Sequence, residues 1–393
     1  MSKIELNSDQ IFAYYKAKEW WHSASSSQVF EISGGAGTGK TTSIKYILKE
    51  LGMDVQKEVL FIAFTGKAAT QLGRQGLPAT TIHSALYEYT QEVERDENNR
   101  PIFLPNGKLK KKMVFKKREH LKKNYKCICI DEGGQINQQM KDDILSFGLP
   151  VFVLGDTNQL PPVFGNSVFL VNPDVTLHQV MRQEEDNPIV YIAQRIIKGQ
   201  AIQTGVYGSS SIIRKRDLNE FILKKADMII TGTNKLRYEI NDLFRNHYME
   251  FKKPEYPYVG EKVICKRNNW SKTIGDNIYL TNGLTGFIEY VDRESYNGKK
   301  IKIDFRPDFT NKCFRNLNID YKFLMNVDDD ENDKFKIGLD FFGFAYAITI
   351  YSAQGSEWEN VVAMGENFGS DDFRKRMLYT MVTRASKSIT LVL

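Results

Sequence analysis

A glycine-rich segment that ends in Lys40 and Thr41 has the residue types and spacing of a phosphate-binding loop. The segment Gly34-Gly35-Ala36-Gly37-Thr38-Gly39-Lys40-Thr41 lies between an apolar run at residues 29–32 and residues 42–48, whose apolar positions have helical spacing. A strand, a glycine loop and a helix start in this order turn backbone N–H groups toward nucleotide phosphates. Lys40 would reach the β- and γ-phosphates, and the Thr41 hydroxyl would bind Mg²⁺. The segment therefore predicts a nucleotide site.

Two adjacent carboxylates, Asp131 and Glu132, follow the apolar run at residues 127–130. At a strand end beside a phosphate loop, Asp131 would hold Mg²⁺ through water, and Glu132 would orient and deprotonate the attacking water. Phosphoryl transfer needs little beyond such positioning and charge neutralisation. An Asp-Glu pair after a strand also suits a helix cap, so the pair gains its meaning from the loop. Gln159 follows the next apolar run. Its side chain would connect the γ-phosphate site to a second binding site outside the cleft.

Apolar runs closed by small or polar residues recur along the chain, with helical patterns between several of them. This alternation is typical of a parallel sheet covered on both faces, with ligands at the carboxyl ends of the strands. A second set of runs predicts a second α/β lobe of the same build. The runs are residues 29–33, 59–65, 126–131 and 151–156 in the first set, and 226–231, 345–350, 361–364 and 388–393 in the second.

Between Gly260 and Asp340 the sequence pattern changes to short runs of alternating apolar and polar residues, separated by Asn-Gly pairs. Such runs predict a small antiparallel β insertion. The acidic cluster at residues 328–333 is interpreted as a solvated loop rather than a metal site.

Composition is ordinary for a globular protein, with 41% hydrophobic and 26% charged residues among 393. No apolar run approaches the roughly 20 residues of a bilayer span, and the N-terminus lacks a signal-peptide core. The four cysteines are too few and too poorly spaced for a disulfide framework or a zinc site, which fits a reducing cytoplasm. We therefore expect no membrane partner.

Positive charge is concentrated in one segment of the chain. Residues 108–126 contain ten Lys and Arg residues against Glu119 alone, a local net charge of +9. Because the whole chain carries +6, the remainder carries −3. A localised positive field of this kind favours a polyanionic partner.

Taken together, these motifs resemble superfamily 1 helicases, and more narrowly the 5′-to-3′ branch that includes the RecD and phage Dda families. Each motif alone is a weak string, but their order along the whole chain is specific. The further matching segments are residues 7–10, 64–69, 80–83, 177–183 with 188–189, 231–234, 349–357 and 378–385. Two departures stand out: Tyr351-Ser352 replaces the usual His-Lys, and Gly133-Gly134 follows Asp131-Glu132 where residues such as Ala and Ser are usual.

The resemblance implies a role for each matching residue. Nucleotide contacts fall on Gln10, Gly35, Ala36, Gly37, Thr38, Gly39, Lys40, Thr41, Thr42, Asp131 and Glu357, with Mg²⁺ on Thr41 and Asp131. Catalytic roles fall on Lys40, Glu132, Gln159, Arg182 and Arg384. Nucleic-acid contacts fall on Thr65, His83, Asn234 and Gln354, although a histidine such as His83 can also be a satisfied core residue.

The resemblance also implies an architecture of two RecA-like parallel-sheet lobes. The first would span residues 1–165, with an inserted hairpin at 84–125, and the second residues 166–260 and 341–393, around an SH3-like β insertion at 261–340. The hairpin would pair residues 102–104 with 113–115 and present Phe103 or Phe115 as a strand-separating pin. The alternative is a basic hairpin that only raises DNA affinity.

The function implied is that of an ATP-dependent DNA helicase that moves 5′ to 3′ on single-stranded DNA, with ATP and Mg²⁺ as cofactors. Its partners would be single-stranded DNA, fork junctions and proteins of replication, repair or recombination, and it would act as a monomer in the cytoplasm of a bacterial or phage-infected cell. Two alternatives stay open: an ATP-gated nucleic-acid-binding protein without unwinding activity, and a P-loop phosphotransferase. RNA also stays open as the track, because phosphate contacts alone do not read the sugar.

Overall fold

The computed structural model describes residues 6–23, 27–96, 98–103, 107, 109, 111–161, 167–181, 186–248, 255–275, 278–326 and 338–393. These residues form two six-stranded sheets, each the centre of one lobe, and a smaller antiparallel sheet inserted in the second lobe. Two parallel-sheet lobes confirm the predicted α/β class. Among the described residues, no helix is both long enough and apolar enough to cross a bilayer.

The first lobe is built on an all-parallel sheet in the order β3-β2-β6-β7-β1-β8. Every residue of β2, β6 and β7 is buried, which is why these strands form continuous apolar runs in the sequence. The elements are α1 (Ser8–His22), β1 (Val29–Gly34), α2 (Lys40–Glu50), β2 (Val59–Ala63), α3 (Gly66–Arg74), β3 (Ala79–Thr81), α4 (Ile82–Leu86), β4 (Tyr87–Val93), β5 (Lys111–Lys117), β6 (Cys127–Ile130), α5 (Gln138–Leu145), β7 (Val151–Gly155) and β8 (Val175–Leu177).

The predicted end of the first lobe at residue 165 is too early. Strand β8 pairs with β1, with Val175 opposite Ile32 and Leu177 opposite Gly34. The sheet therefore continues to Leu177. A three-residue edge strand is too short to give a periodic apolar signal, so the sequence did not indicate it.

The inserted hairpin of the first lobe differs from the predicted one. Strand β5 pairs with β4, which places Tyr89 opposite Phe115. Residues 102–104 are therefore not the partner strand, and Phe103 instead makes an isolated bridge to Leu109 in the connecting segment. The error arose because residues 87–93 carry four aromatic or β-branched residues among Glu and Gln, a weaker apolar signal than Ile102-Phe103-Leu104.

The second lobe starts with α6 (Pro188–Ile197), β9 (Gly205–Tyr207), β10 (Ser210–Ile213), α7 (Glu220–Lys225), β11 (Met228–Thr231) and α8 (Asn234–Leu243). It resumes after the insertion with β19 (Ala347–Thr349), α10 (Ile350–Ala353), β20 (Trp358–Met364), α11 (Asp371–Val382) and β21 (Ala385–Val392). The strand order is β19-β11-β20-β21-β10-β9, and β9 runs antiparallel to its neighbour β10.

The insertion is an antiparallel sheet in the order β17-β16-β15-β12-β18, with a separate β13-β14 pair. Because β18 pairs with β12, this sheet extends past the predicted boundary at 340. Its elements are β12 (Lys262–Cys265), β13 (Asn269–Ile274), β14 (Ile278–Leu280), β15 (Thr285–Asp292), β16 (Lys300–Pro307), β17 (Phe314–Asp320), α9 (Tyr321–Leu324) and β18 (Phe342–Phe344).

Candidate active site

The glycine loop folds tightly between β1 and α2. Gly39 caps α2 with a φ of 76°, in the left-handed region that glycine adopts without strain. A Cβ at Gly39 would lie 2.4 Å from Nε2 of Gln10, and one at Gly34 would lie 2.5 Å from Oγ1 of Thr38. The positive φ favours glycine at position 39, and a side chain at position 34 would have to displace the Thr38 hydroxyl.

The side chains of the loop are held by its own carbonyl groups. The Lys40 ammonium donates to the carbonyl oxygens of Gly34 at 2.6 Å and Gly35 at 3.2 Å. The Thr38 hydroxyl donates to Gly35 O at 2.9 Å. These bonds orient Lys40 at the start of α2, where the helix dipole also favours an anion.

A cavity of about 200 Å³ lies at the seam between the two lobes, above the loop. Each lobe supplies at least one cation and one carboxylate to the lining of this cavity. The predicted residues that line it are Lys40, Thr41, Asp131, Glu132 and Gln159 from the first lobe, and Glu357 and Arg384 from the second. The fold thus brings together seven residues that the sequence spreads from the first strand to the last.

The two carboxylates are placed at the carboxyl end of β6, beside the loop. Burial and the neighbouring Glu132 carboxylate raise the pKa of Asp131 to about 6, although Lys40 opposes the shift. Glu132 has a φ of 56°, a strained backbone conformation for a residue with a Cβ. A divalent cation would relieve the repulsion between the carboxylates, and the Thr41 hydroxyl lines the same cavity. This donor set of oxygen atoms fits Mg²⁺.

Arg384 reaches the cavity from the second lobe and is only 5% exposed. Its guanidinium donates to the carbonyl oxygens of Thr380 at 3.2 Å and Ser356 at 3.3 Å. Both partners belong to its own lobe. The charge of Arg384 is thus held at the seam by the second lobe and moves with it.

Glu357 is bonded across the seam, because Gln71 of α3 donates to Glu357 Oε2 at 2.6 Å. A second bond between the lobes runs from the Thr65 hydroxyl to Gly355 O at 3.2 Å. These contacts join the first lobe to the segment 354–357 of the second. No sequence motif pointed to Gln71, because a lone glutamine on a helix has no pattern from which a role could be inferred.

Gln10 lies beside the loop and is 1% exposed. Its Nε2 donates to Thr38 O at 3.2 Å, and its Oε1 accepts from the Asn7 amide at 3.0 Å. Met181 N–H donates to Gly37 O at 2.9 Å, so the segment before Arg182 also borders the loop. Arg182 itself lies outside the described residues.

Two of the predicted nucleic-acid contacts are accessible in different degrees. Asn234 is exposed at the start of α8. His83 is partly buried, its ring centroid lies 5.6 Å from that of Tyr87, and burial lowers its pKa. The histidine therefore favours the neutral form.

Of the other predicted nucleic-acid contacts, two form hydrogen bonds within the protein and one is exposed to solvent. Thr65 caps α3 by accepting from Ala68 N at 3.1 Å. Gln354 is 6% exposed and donates to Leu160 O at 3.2 Å, so its amide would have to leave this bond to reach a polynucleotide. Phe103 is 59% exposed. The side chain of Phe115 lies outside the described residues.

A tyrosine between the lobes had no assigned role in the sequence analysis. The Tyr379 hydroxyl of α11 donates to Asp156 Oδ2 at 2.5 Å and accepts from the Ala36 amide at 3.0 Å. Both Ala36 and Asp156 line the cavity. The sequence marked Tyr379 only by its position in the segment 378–385, which matches a helicase motif and contains Arg384.

This arrangement defines a P-loop nucleotide site shared by two RecA-like lobes. A family model described as "AAA domain" matches residues 16–217, just over half of the chain, and one described as "UvrD-like helicase C-terminal domain" matches residues 344–392. The chain belongs to the AAA domain family, and the match of its C-terminal segment to UvrD-like helicases agrees with the resemblance to superfamily 1B helicases.

Curated relatives match along nearly the whole chain. The chain is 25% identical over 379 residues to the "ATP-dependent RecD2 DNA helicase" of Deinococcus radiodurans, covering 90% of this chain and 45% of that protein. It is 25% identical over 423 residues to the "RecBCD enzyme subunit RecD" of Buchnera aphidicola, covering 92% of this chain and 69% of that protein. The chain thus spans less than half the length of the RecD2 protein.

Solved structures show the same fold. The chain aligns with Pif1 helicase from Candida albicans at a TM-score of 0.54 and 16% identity, covering 99% of this chain and 94% of that one. It aligns with a Bacteroides Pif1 bound to ssDNA at a TM-score of 0.52 and 17% identity, covering 99% and 92%. At this identity the similarity concerns the fold.

The unusual Gly133 has a packing explanation in the structure. A Cβ at this position would lie 2.2 Å from Cγ1 of Val153, a fully buried residue of β7. At Gly134 the nearest atom is Oγ of Ser167 at 3.9 Å, which is ordinary contact. The valine on the adjacent strand therefore excludes a side chain after Glu132.

We predict that Gly133→Ala lowers the free energy of unfolding by about 1–3 kcal/mol, because the methyl group must displace a buried β-branched side chain. Gly134→Ala is the matched control and is expected to change it by less than about 0.5 kcal/mol. Urea unfolding followed by circular dichroism measures both. Equal stability of the two variants would contradict the packing explanation.

A second prediction concerns the carboxylate of Asp131. Its pKa is about 6 in the folded chain against an ordinary value of 3.8, so ionisation destabilises the fold as pH rises through about 6. We expect Asp131→Asn to be more stable than wild type by about 1–3 kcal/mol at pH 8, because an amide needs no such ionisation. This advantage should shrink as the pH falls from about 6 toward 4, where the folded chain is already protonated and the unfolded chain becomes so.

Urea unfolding of both chains at several pH values measures this difference. Asp217→Asn, at an exposed carboxylate, is the control and should follow wild type at every pH. If Asp131→Asn is less stable than wild type at pH 8, or if its advantage does not depend on pH, the pKa of Asp131 is not raised in the folded chain.

Proposed function

We propose that this chain is an ATP-dependent DNA helicase that translocates 5′ to 3′ on single-stranded DNA and couples ATP hydrolysis between its lobes to duplex unwinding. The single observation that carries the proposal is the cavity at the seam, since Lys40 and Glu132 come from one lobe and Arg384 from the other. A charge shell that needs both lobes closes around a triphosphate and relaxes after hydrolysis.

In this proposal each residue acts on a stated group. Lys40 neutralises charge on the β- and γ-phosphates, and Glu132 accepts the proton of the water that attacks the γ-phosphorus. Arg384 stabilises the charge that develops on the γ-phosphate oxygens, a contribution of about 10³–10⁵ in rate for arginines of this type. Thr41 and Asp131 would hold Mg²⁺, which supplies further charge neutralisation when bound. By the family resemblance, Gln10 would contact adenine and Arg182 would contact the γ-phosphate.

Movement of the lobes would act on a polynucleotide through contacts on both sides of the seam. The Thr65 hydroxyl already links the lobes by its bond to Gly355 O at 3.2 Å, next to the proposed contact Gln354, and His83 would add a contact from the first lobe. The basic hairpin would bind phosphates at the duplex junction, with Phe103 or Phe115 as the pin. DNA as the track is supported by the similarity to the RecD2 DNA helicase and by the shared fold with a Bacteroides Pif1 bound to ssDNA. We propose fork junctions and proteins of replication or recombination as partners, and a monomer as the working unit.

We predict that Lys40→Ala and Arg384→Ala each lower DNA-stimulated ATP hydrolysis by about 10³-fold or more, because each removes charge stabilisation of the transition state. Binding of single-stranded DNA should remain measurable. Phosphate release with and without oligonucleotide tests this. Lys49→Ala, at the exposed end of α2, and Arg374→Ala, a partly exposed surface arginine, are the matched controls and should retain wild-type rates.

The same measurements distinguish the competing functions. Near-wild-type hydrolysis by either site variant would overturn the assignment of the site. Wild-type hydrolysis that does not respond to DNA would favour an ATP-gated binding protein, and phosphate transfer to a small acceptor would favour a phosphotransferase.

The direction of movement has its own test. We expect wild type to displace the strand of a duplex with a 5′ single-stranded tail and to leave a 3′-tailed duplex of the same sequence intact. Gel-based strand displacement with ATP measures this, and Lys40→Ala serves as the inactive control. Displacement from the 3′-tailed duplex alone would reverse the assigned direction.

A further inference from the structure

The side chain of Tyr379 connects the two lobes at the phosphate loop. The residue is 2% exposed and belongs to the apolar core of the second lobe. Its hydroxyl nevertheless bonds to two groups of the first lobe, Asp156 and the Ala36 amide. A Cβ at Gly35 would lie 3.1 Å from this hydroxyl, so the loop backbone passes directly beside it.

The hydroxyl has a single proton to donate. Burial and the adjacent Asp156 carboxylate raise the pKa of Tyr379 well above its ordinary value, so the phenol stays neutral. Its proton therefore lies on the bond to Asp156, and its lone pair accepts from Ala36 N–H. A new acceptor near the hydroxyl must compete with Asp156, and a new acceptor near Ala36 must compete with the hydroxyl.

A terminal phosphate would be such an acceptor. The Lys40 ammonium lies on the carbonyl groups of Gly34 and Gly35, next to Ala36, and this ammonium marks where β- and γ-phosphates bind. The Ala36 amide is thus at the γ-phosphate end of the loop. A γ-phosphate oxygen that takes this N–H releases the lone pair of Tyr379 and offers its O–H a second acceptor.

Asp156 continues the connection away from the loop. Its Oδ1 accepts from Asn158 N at 2.9 Å, and its carbonyl oxygen accepts from Gln159 N at 3.2 Å, so it organises the turn that carries Gln159. The next residue, Leu160, accepts from Gln354 Nε2 at 3.2 Å and donates its own N–H to Thr380 Oγ1 at 2.9 Å. One turn thus contacts the phosphate side and the proposed nucleic-acid side.

We propose that Tyr379 is a positioning residue that senses the γ-phosphate through Ala36 and Asp156 and transmits its presence to the nucleic-acid contacts around Gln354. The inference rests on the proposed function, since it assumes that the cavity takes a nucleoside triphosphate. It adds a residue that distinguishes the triphosphate state from the diphosphate state. Removal of the hydroxyl leaves both lobes and all charged residues in place but cuts the connection.

The test compares the affinity for single-stranded DNA in two nucleotide states. Fluorescence anisotropy with a labelled oligothymidylate gives one dissociation constant with the non-hydrolysable analogue AMP-PNP and one with ADP, both with Mg²⁺. We expect the two constants of wild type to differ by about 5-fold or more, the usual scale of coupling between sites. In Tyr379→Phe the ratio should fall to about 1–2.

Two further variants complete the experiment. Tyr207→Phe removes a hydroxyl that donates to Gln203 O in the second lobe, and it should keep the wild-type ratio. In Asp156→Asn the tyrosine is intact but its acceptor has lost its charge, and the ratio should again fall. The Asp156 variant carries the test if Tyr379→Phe has no cooperative thermal transition.

The outcomes separate this inference from the function on which it rests. A wild-type ratio retained in Tyr379→Phe and Asp156→Asn, with DNA-stimulated hydrolysis present in wild type, would overturn the inference alone. A wild-type ratio of about 1 together with DNA-independent hydrolysis would overturn both. A reduced ratio in Tyr379→Phe with an unchanged KM for ATP would support sensing rather than a loss of nucleotide binding.

Discussion

Charged side chains from both lobes line one cavity, and the sheets of the two lobes hold them there. Parallel strands bring their carboxyl ends to the same edge of a sheet, so Lys40, Asp131 and Asp156 converge although they follow different strands. The second sheet offers Glu357 and Arg384 from the opposite side. Because both lobes line the cavity, its shape and its charges depend on how the lobes are positioned.

The first lobe accepts unfavourable features to build its half of this cavity. Asp131 lies beside the Glu132 carboxylate, and the pKa of Asp131 is raised. Glu132 itself adopts a left-handed backbone conformation. Gly133 is confined by Val153 on the adjacent strand. Such features persist only where surrounding structure imposes them, and here the fully buried strands β6 and β7 do so.

Several contacts at the seam are hydrogen bonds of single side chains, which can exchange partners. Gln71 and Glu357, Thr65 and Gly355, and Tyr379 and Asp156 each join one lobe to the other. A seam of this kind separates more readily than a packed apolar core, because each bond can be replaced by water or by a ligand oxygen. That property is what an interface needs if nucleotide binding and release are to move the lobes.

The phosphate loop, the carboxylates after β6 and the alternation of strands and helices were predictable, because short-range spacing and burial of whole strands leave a direct pattern in the residues. The partner of β5, the strand β8 and the placement of Gln354 depended on long-range pairing, which local apolar patterns do not encode. The role of Gly133 and the bonds of Tyr379 were decided only by the tertiary structure. A clash with Val153 and a hydroxyl between two lobes exist only once residues far apart in the chain come into contact.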